Sequence, residues 1–262
     1  MRNAMAMIEA KGALLRAEDE GPREAPVILF SNSLGCSLEM WDAQAAHLRG
    51  AFRIIRYDNR GHGGSSVGDV PYSLDLLCED ALAVLDHFGV ERAHWCGLSL
   101  GGMLGQRMAA LHGHRLRSVI LSNTTSWYPD ATFWKDRIAT VRAKGLAEIA
   151  APILAGWLTE GFRQREPAAA ARMGEMLLST SQEGYLASCE AISVLDNREL
   201  LPKIATPTLV IAGAHDRSTP LSAAEAIVER IPGARLHVLE AAHISNIEQS
   251  AAFTREVKNF LA

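Results

Sequence analysis

The sequence predicts one α/β domain built on a mostly parallel sheet flanked by helices and interrupted by an all-helical insertion. Three observations carry that expectation. Short runs rich in Val, Ile and Leu recur along the chain, helix-length amphipathic segments lie between several of them, and residues 127–197 show helical periodicity with no convincing strand. At 262 residues the chain reaches the upper end of what a single hydrophobic core supports, so one large domain is expected rather than two. Hydrophobic residues make up 48% and charged residues 21%, a globular composition that excludes disorder and fibres.

The opening residues 1–12 lack the continuous apolar core of an export signal, and no stretch reaches the ~18 consecutive apolar residues of a membrane span. Buried strands are expected at 26–31, 53–57, 94–97, 118–122, 208–212 and 235–239, each a near-continuous apolar run. Helices are expected at 74–88, 102–112 and 223–231, with 250–261 as a closing helix. The Ala-rich stretch 127–197 begins after the 118–122 run and ends before the 208–212 run. Residues 1–126 and 198–262 should therefore form the core and 127–197 a helical cap, with the Pro-flanked 201–207 leading back into the sheet.

Lys and Arg total 26 against 30 Asp and Glu, a net charge of -4 with no basic run, which argues against nucleic acid as a partner. Cys36, Cys78, Cys96 and Cys189 are far apart and form no C-x-x-C pair, so they are expected as reduced, core-packed thiols in a cytoplasmic protein.

Gly97-Leu98-Ser99-Leu100-Gly101 matches the G-x-S-x-G elbow, in which a serine on a tight strand-to-helix turn projects its hydroxyl above a sheet. Chance supplies such a pentapeptide often. Here a strand-like run precedes it and a helix-like run follows, the context that the turn requires. A serine nucleophile needs a base to take its proton and an acid to orient that base, in the chain order serine, carboxylate, histidine. Asp216 follows the 208–212 strand through Gly213-Ala214-His215, and His243 follows the next strand in Glu240-Ala241-Ala242-His243. Both therefore sit at the carboxyl ends of strands, where ligand-facing loops gather.

The other histidines fit less well. His237 alternates inside a strand and is expected to be packed, His112 and His114 sit at a helix end, and His215 precedes the acid in the chain. Asp196 ends the insertion, and Asn123, just past the 118–122 strand, is not an acid. The oxyanion formed on acyl transfer needs aimed donors. The backbone N–H of Leu100, after the nucleophile, and that of Leu34, in the loop Ser31-Asn32-Ser33-Leu34-Gly35, are the candidates.

Taken together, these motifs give a resemblance. The whole chain resembles the α/β-hydrolase superfamily, and within it the 3-oxoadipate enol-lactonases of bacterial aromatic breakdown. The lactonase branch is suggested by the Asn-Ser-Leu-Gly oxyanion loop with Met40-Trp41-Asp42, by Arg56-Tyr57-Asp58-Asn59-Arg60-Gly61-His62-Gly63-Gly64-Ser65, and by Cys96-Gly97-Leu98-Ser99-Leu100-Gly101-Gly102-Met103. The resemblance weakens in the insertion and the first dozen residues. It implies an α/β-hydrolase fold, a small lactone as substrate, and no metal or organic cofactor. It also implies that the segment around Arg60 and His62 shapes a turn near the site rather than taking part in catalysis. A carboxylesterase, a carbon–carbon bond hydrolase or a non-turnover ligand receptor could carry the same residues.

An enol-lactone of this kind bears a carboxylate away from the scissile bond, and burying that charge unpaired is costly. Trp134-Lys135-Asp136-Arg137 opens the insertion with aromatic bulk and two cations. Trp134 is the candidate pocket wall, and Lys135 or Arg137 the anion partner, with Arg163 next. Positions 135 and 137 point about 200° apart on a helix, so at most one of the cations can face the site.

Overall fold

The computed structural model describes residues 4–262. Its strands are β1 (Ala4–Ala10), β2 (Ala13–Glu20), β3 (Val27–Ser31), β4 (Arg53–Tyr57), β5 (Ala93–Leu98), β6 (Leu116–Ser122), β7 (Thr208–Gly213) and β8 (Arg235–Leu239). They form one eight-stranded sheet in the order β1-β2-β4-β3-β5-β6-β7-β8. From β4 to β8 all neighbours run parallel, while β1 with β2 and β2 with β4 are antiparallel.

The antiparallel hairpin at the start of the chain is an addition to the expected strands. Its segments are short of Val and Ile, and β2 alternates buried and open positions rather than forming an apolar run. Lys11 and Gly12 connect the two strands with φ of 38° and 79°, the left-handed pair that a two-residue hairpin turn requires. The central strands β3, β4 and β7 are buried at every position, as parallel strands covered on both faces must be. β8 departs from expectation. It is the sheet's outer strand, with one neighbour only, so Val238 is 41% exposed and His237 is half-exposed beside Glu256 rather than packed.

The core helices are α1 (Asp42–Leu48), α2 (Leu74–His87) and α3 (Leu100–Leu111). Between β6 and β7 come α4 (Thr132–Lys144), α5 (Ala147–Trp157), α6 (Glu160–Arg165), α7 (Pro167–Leu178) and α8 (Gln182–Ser193), with no strand among them. At the root of this insertion Trp127 and Asp196 form an antiparallel bridge, and the Arg198 guanidinium stacks 4.1 Å over the Trp127 ring. The chain closes with α9 (Leu221–Arg230), α10 (Ser245–Glu248) and α11 (Ser250–Leu261). No helix of the described residues is long and apolar enough to cross a membrane. All four cysteines are buried and unbonded to one another, and burial pushes their thiols well above the usual range.

The parallel register positions the site. Ser31 pairs with Gly97, Leu98 with Ser122, Ser122 with Ile211, and Gly213 with Leu239. The carboxyl ends of β3, β5, β6, β7 and β8 are therefore level, and the loops that follow them share one edge of the sheet.

Beneath that edge the Arg60–His62 segment forms a turn packed into the core. The Arg60 guanidinium is fully buried and donates to both Asp80 oxygens, at 2.7 and 2.5 Å. His62 is buried with its Nδ1 3.0 Å from Arg60 O, and burial lowers its pKa to about 4. Neither side chain lines the cavity that holds Ser99. Asp80→Ala leaves the Arg60 charge without its partner in a dry site, which should cost about 3–5 kcal/mol in a urea unfolding titration. An unchanged midpoint would show that the pair contributes nothing to the fold.

Candidate active site

β5 ends at Leu98 and α3 begins at Leu100, so Ser99 alone makes the turn, at φ 56° and ψ -112°. A non-glycine residue in that region is strained and persists only where its surroundings overdetermine it. Those surroundings are visible. Ser99 N–H donates to Ser122 O at 2.9 Å, while Thr124 Oγ1 and Met103 N–H donate to Ser99 O at 2.8 and 2.9 Å. The glycines of the motif are a steric necessity. A Cβ on Gly97 would lie 2.1 Å from Gly101 O, and one on Gly101 would lie 2.1 Å from Ser31 O. Gly102 is equally confined, since a Cβ there would lie 2.6 Å from Thr124 Cβ.

The loop after β3 is pinned to this elbow, because Gly101 N–H donates to Asn32 O at 3.1 Å. The Asn32 side chain turns down into the scaffold, donating to Tyr57 O at 2.8 Å and accepting from Trp41 Nε1 at 3.0 Å. Ser33 N–H is taken by Met40 Sδ at 3.4 Å. Leu34 N–H and Leu100 N–H have no hydrogen-bond partner among the described residues. Leu100 opens α3, where backbone donors lack intrahelical acceptors and the helix dipole favours negative charge. These two candidate oxyanion donors are thus available.

Asp216 and His243 meet as the strand-end argument expected, with His243 Nδ1 2.8 Å from Asp216 Oδ2 and both side chains buried. Asp216 Oδ1 accepts from Ser218 and Thr219 N–H at 2.8 and 3.0 Å, and Oδ2 accepts from Thr219 Oγ1 at 2.7 Å and Asn123 Nδ2 at 3.0 Å. Burial by itself would push this carboxyl up. The facing His243 and the converging donors outweigh it and bring the pKa down to about 2. Ser99 and His243 line one cavity, and the Ser99 hydroxyl is free of hydrogen bonds among the described residues, as catalytic groups in unliganded enzymes often are. His215 pairs at the surface with Glu240, and Asp196 pairs with Arg198, so neither competes for the triad.

The insertion supplies the rest of the cavity wall. Trp157, Ile153 and Pro152 from α5 make it apolar, with Leu34 and Met103 from the core. Trp134 and Arg137 from α4 both line it, whereas Lys135 is exposed and lies outside it. The helical spacing explains the difference, and it removes Lys135 as the anion partner. Arg163, on α6, is not part of the wall either. Arg137 is half-buried, stacked 4.5 Å over the Phe133 ring and 5.2 Å over the Trp134 ring, and has no carboxylate partner among the described residues. The hydroxyl-bearing rings of Tyr128 and Tyr185 join it on the wall. Burial raises both phenols while the Arg137 cation opposes that rise. Sequence reasoning missed these two tyrosines, because nothing in a helical Ala-rich context separates a pocket tyrosine from a core one. It also dismissed Asn123 for not being an acid, although Asn123 touches the acid.

The elbow, the buried acid–histidine pair and the parallel sheet are those of a serine hydrolase, and the comparisons agree. The model of the alpha/beta hydrolase fold family matches residues 26–250, and the chain belongs to that family of ester-hydrolysing enzymes. It is 39% identical over 251 residues to 3-oxoadipate enol-lactonase 2 of Acinetobacter baylyi, spanning 96% of this chain and 94% of the relative. The crystal structure of the enol-lactonase from Burkholderia xenovorans superposes with a TM-score of 0.95 at 39% identity, covering 98% of this chain and 99% of that one. A thermophilic esterase from Thermogutta terrifontis, determined with malate bound, has a TM-score of 0.90 at 28% identity, covering 100% of this chain and 98% of that one.

A carboxyl whose pKa is about 2 in the folded protein adds stability that is complete above its ordinary value near 3.8 and is lost as pH falls toward 2. The stability difference between the wild type and Asp216→Asn should therefore be level at higher pH and narrow below about pH 4. Urea titrations of both proteins at stepped pH measure it. A difference that stays constant down to the acid limit would contradict the lowered pKa.

Proposed function

We propose that this chain hydrolyses 3-oxoadipate enol-lactone to 3-oxoadipate, with Ser99, His243 and Asp216 as the catalytic triad and residues 127–197 as the cap that selects the substrate. The observation that carries this reading is Arg137, a cation without a carboxylate partner among the described residues, on the wall of the cavity that also holds Ser99 and His243. A small lactone bearing one carboxylate complements such a cavity in charge and in its apolar wall. The enol-lactonase names of the relatives support the same substrate.

In this mechanism His243 Nε2 takes the Ser99 proton as Oγ attacks the ring carbonyl, and Asp216 stabilises the imidazolium through Nδ1. The N–H groups of Leu34 and Leu100 hold the oxyanion. Collapse of the tetrahedral intermediate breaks the ring C–O bond and expels an enolate, which takes the proton from His243 and ketonises while still tethered to the acyl-enzyme. An enolate is a weaker base than an alkoxide, so acid assistance need only be modest. Water, deprotonated by His243, then attacks the acyl carbonyl and releases 3-oxoadipate from Ser99. A second reading is a carboxylesterase for acidic substrates, favoured by the esterase neighbour with its bound dicarboxylate. Steady turnover of the enol-lactone well above that of neutral aryl esters separates the first reading from the second, and from a receptor that binds without turnover.

Ser99→Ala and His243→Ala should each lower kcat by several orders of magnitude with folding intact, because the triad acts as a unit. More than about a tenth of wild-type activity in Ser99→Ala would refute the nucleophile. Arg137→Ala should raise KM for the enol-lactone roughly 10- to 100-fold, the size of a lost charge-assisted hydrogen bond, and leave a neutral ester nearly unaffected. Lys135→Ala, on the outer face of the same helix, should change neither substrate's kinetics. Equal effects of Arg137→Ala on both substrates would rule out an anion anchor.

A further inference from the structure

We propose that Asn123 is a positioning residue that sets the Asp216–His243 geometry from outside both of their loops, an inference that rests on the triad reading above. Asn123 follows the last residue of β6, is 1% exposed, and holds φ 44°. Asparagine is among the few residues that adopt this left-handed region readily. Its N–H donates to Ile211 O at 2.8 Å, which continues the β6–β7 ladder by one step and aims the side chain across the carboxyl end of β7.

There the amide makes three contacts. Nδ2 donates to Asp216 Oδ2 at 3.0 Å and to Ala242 O at 3.2 Å, and Oδ1 accepts from Ser245 Oγ at 2.5 Å. The orientation of the amide follows from chemistry. An ionised carboxylate and a peptide carbonyl can only accept, so the nitrogen must face them, and Ser245 must be the donor to the oxygen. One side chain therefore holds the acid and also grips the His243 loop on both sides, at residues 242 and 245.

Geometry makes Asn123 more than one donor among several. The other donors to Asp216, Ser218 N–H, Thr219 N–H and Thr219 Oγ1, all belong to the loop that carries Asp216 and move with it. Asn123 belongs to β6 and ties two separate loops to the sheet. It also donates to Oδ2, the oxygen that faces His243 Nδ1. It thereby limits rotation of the carboxylate about the bond that aligns the imidazole, and a small misalignment at a catalytic base is expensive. The fit is close: a Cβ on Gly213 would lie 2.3 Å from Ala242 O and 3.0 Å from Asn123 Nδ2.

Two substitutions separate this role from structural filling. Asn123→Gly keeps the left-handed backbone and deletes the amide, and it should lower kcat about 10- to 100-fold with KM little changed, as loss of a supporting contact behind a catalytic group does. Asn123→Asp keeps the shape but turns the donor into a carboxylate against Asp216. The added negative charge beside the imidazolium should move the acid limb of the kcat/KM profile up by about one pH unit. The downfield Nδ1–H resonance of His243, read by proton NMR without any substrate, should shift in Asn123→Asp and broaden in Asn123→Gly. A residue that only fills space would lower the melting temperature of both variants and leave the pH limb and the resonance where they are in the wild type, and that result overturns the proposal. Should Asn123→Gly fail to fold, Asn123→Asp decides alone through the limb and the resonance. Failure of the triad reading itself would instead show as an active Ser99→Ala, whatever the Asn123 variants do.

Discussion

Contact between two backbones at the centre of the sheet governs the rest of the molecule. Where β5 turns into α3, Gly101 sits so close to Ser31 on the neighbouring strand that any side chain there would overlap its carbonyl, and Gly97 is confined in the same way by Gly101. That closeness allows Gly101 N–H to reach Asn32 O, which brings the oxyanion loop alongside the nucleophile. It also compels Ser99 into its strained φ. Strain, loop placement and the exposed start of α3 thus follow from one packing event, and the strain is borne by the hydrogen bonds from Thr124, Met103 and Ser99 itself.

The acid side of the site is governed by electrostatics rather than by packing. A buried carboxylate is unfavourable unless its oxygens are satisfied, and Asp216 collects donors from its own loop, from His243 and from Asn123. The result is an acid that stays ionised beside the imidazole. The insertion is tied to the same neighbourhood. Glu248 accepts from Ala242 N–H at 3.0 Å on one side and Thr159 N–H at 3.2 Å on the other, while Ile244 N–H donates to Trp157 O at 2.9 Å. Helices α5 and α6 are therefore anchored to the loop that carries His243, and the wall of the cavity and the base share a foundation.

Chemistry within the cavity divides between those two sources. The core provides the reacting groups, and the insertion provides Arg137, Trp134, Tyr128 and Tyr185 on the wall. Arg137 lies against two aromatic faces, an arrangement that holds a guanidinium in place without neutralising it. Its charge remains available to an anionic ligand in a way that an ion pair would prevent.

The sequence by itself determined the strands from 26 onward, the insertion, the elbow and the order of serine, acid and histidine. Each of these rests on local pattern: apolar runs for strands buried on both faces, helical periodicity for 127–197, and a glycine–serine–glycine spacing that one kind of turn demands. The hairpin of β1 and β2 escaped because its alternating, alanine-rich strands lack the continuous apolar signal, and β8 was read as buried because a sequence does not show which strand lies at a sheet's edge. Only the tertiary structure decided between Lys135 and Arg137, and only it brought Asn123 against Asp216 and the His243 loop. Those contacts join residues about a hundred positions apart through the level ends of parallel strands. A distance in space of that kind has no counterpart in local pattern, so it emerges only when the sheet's register is set.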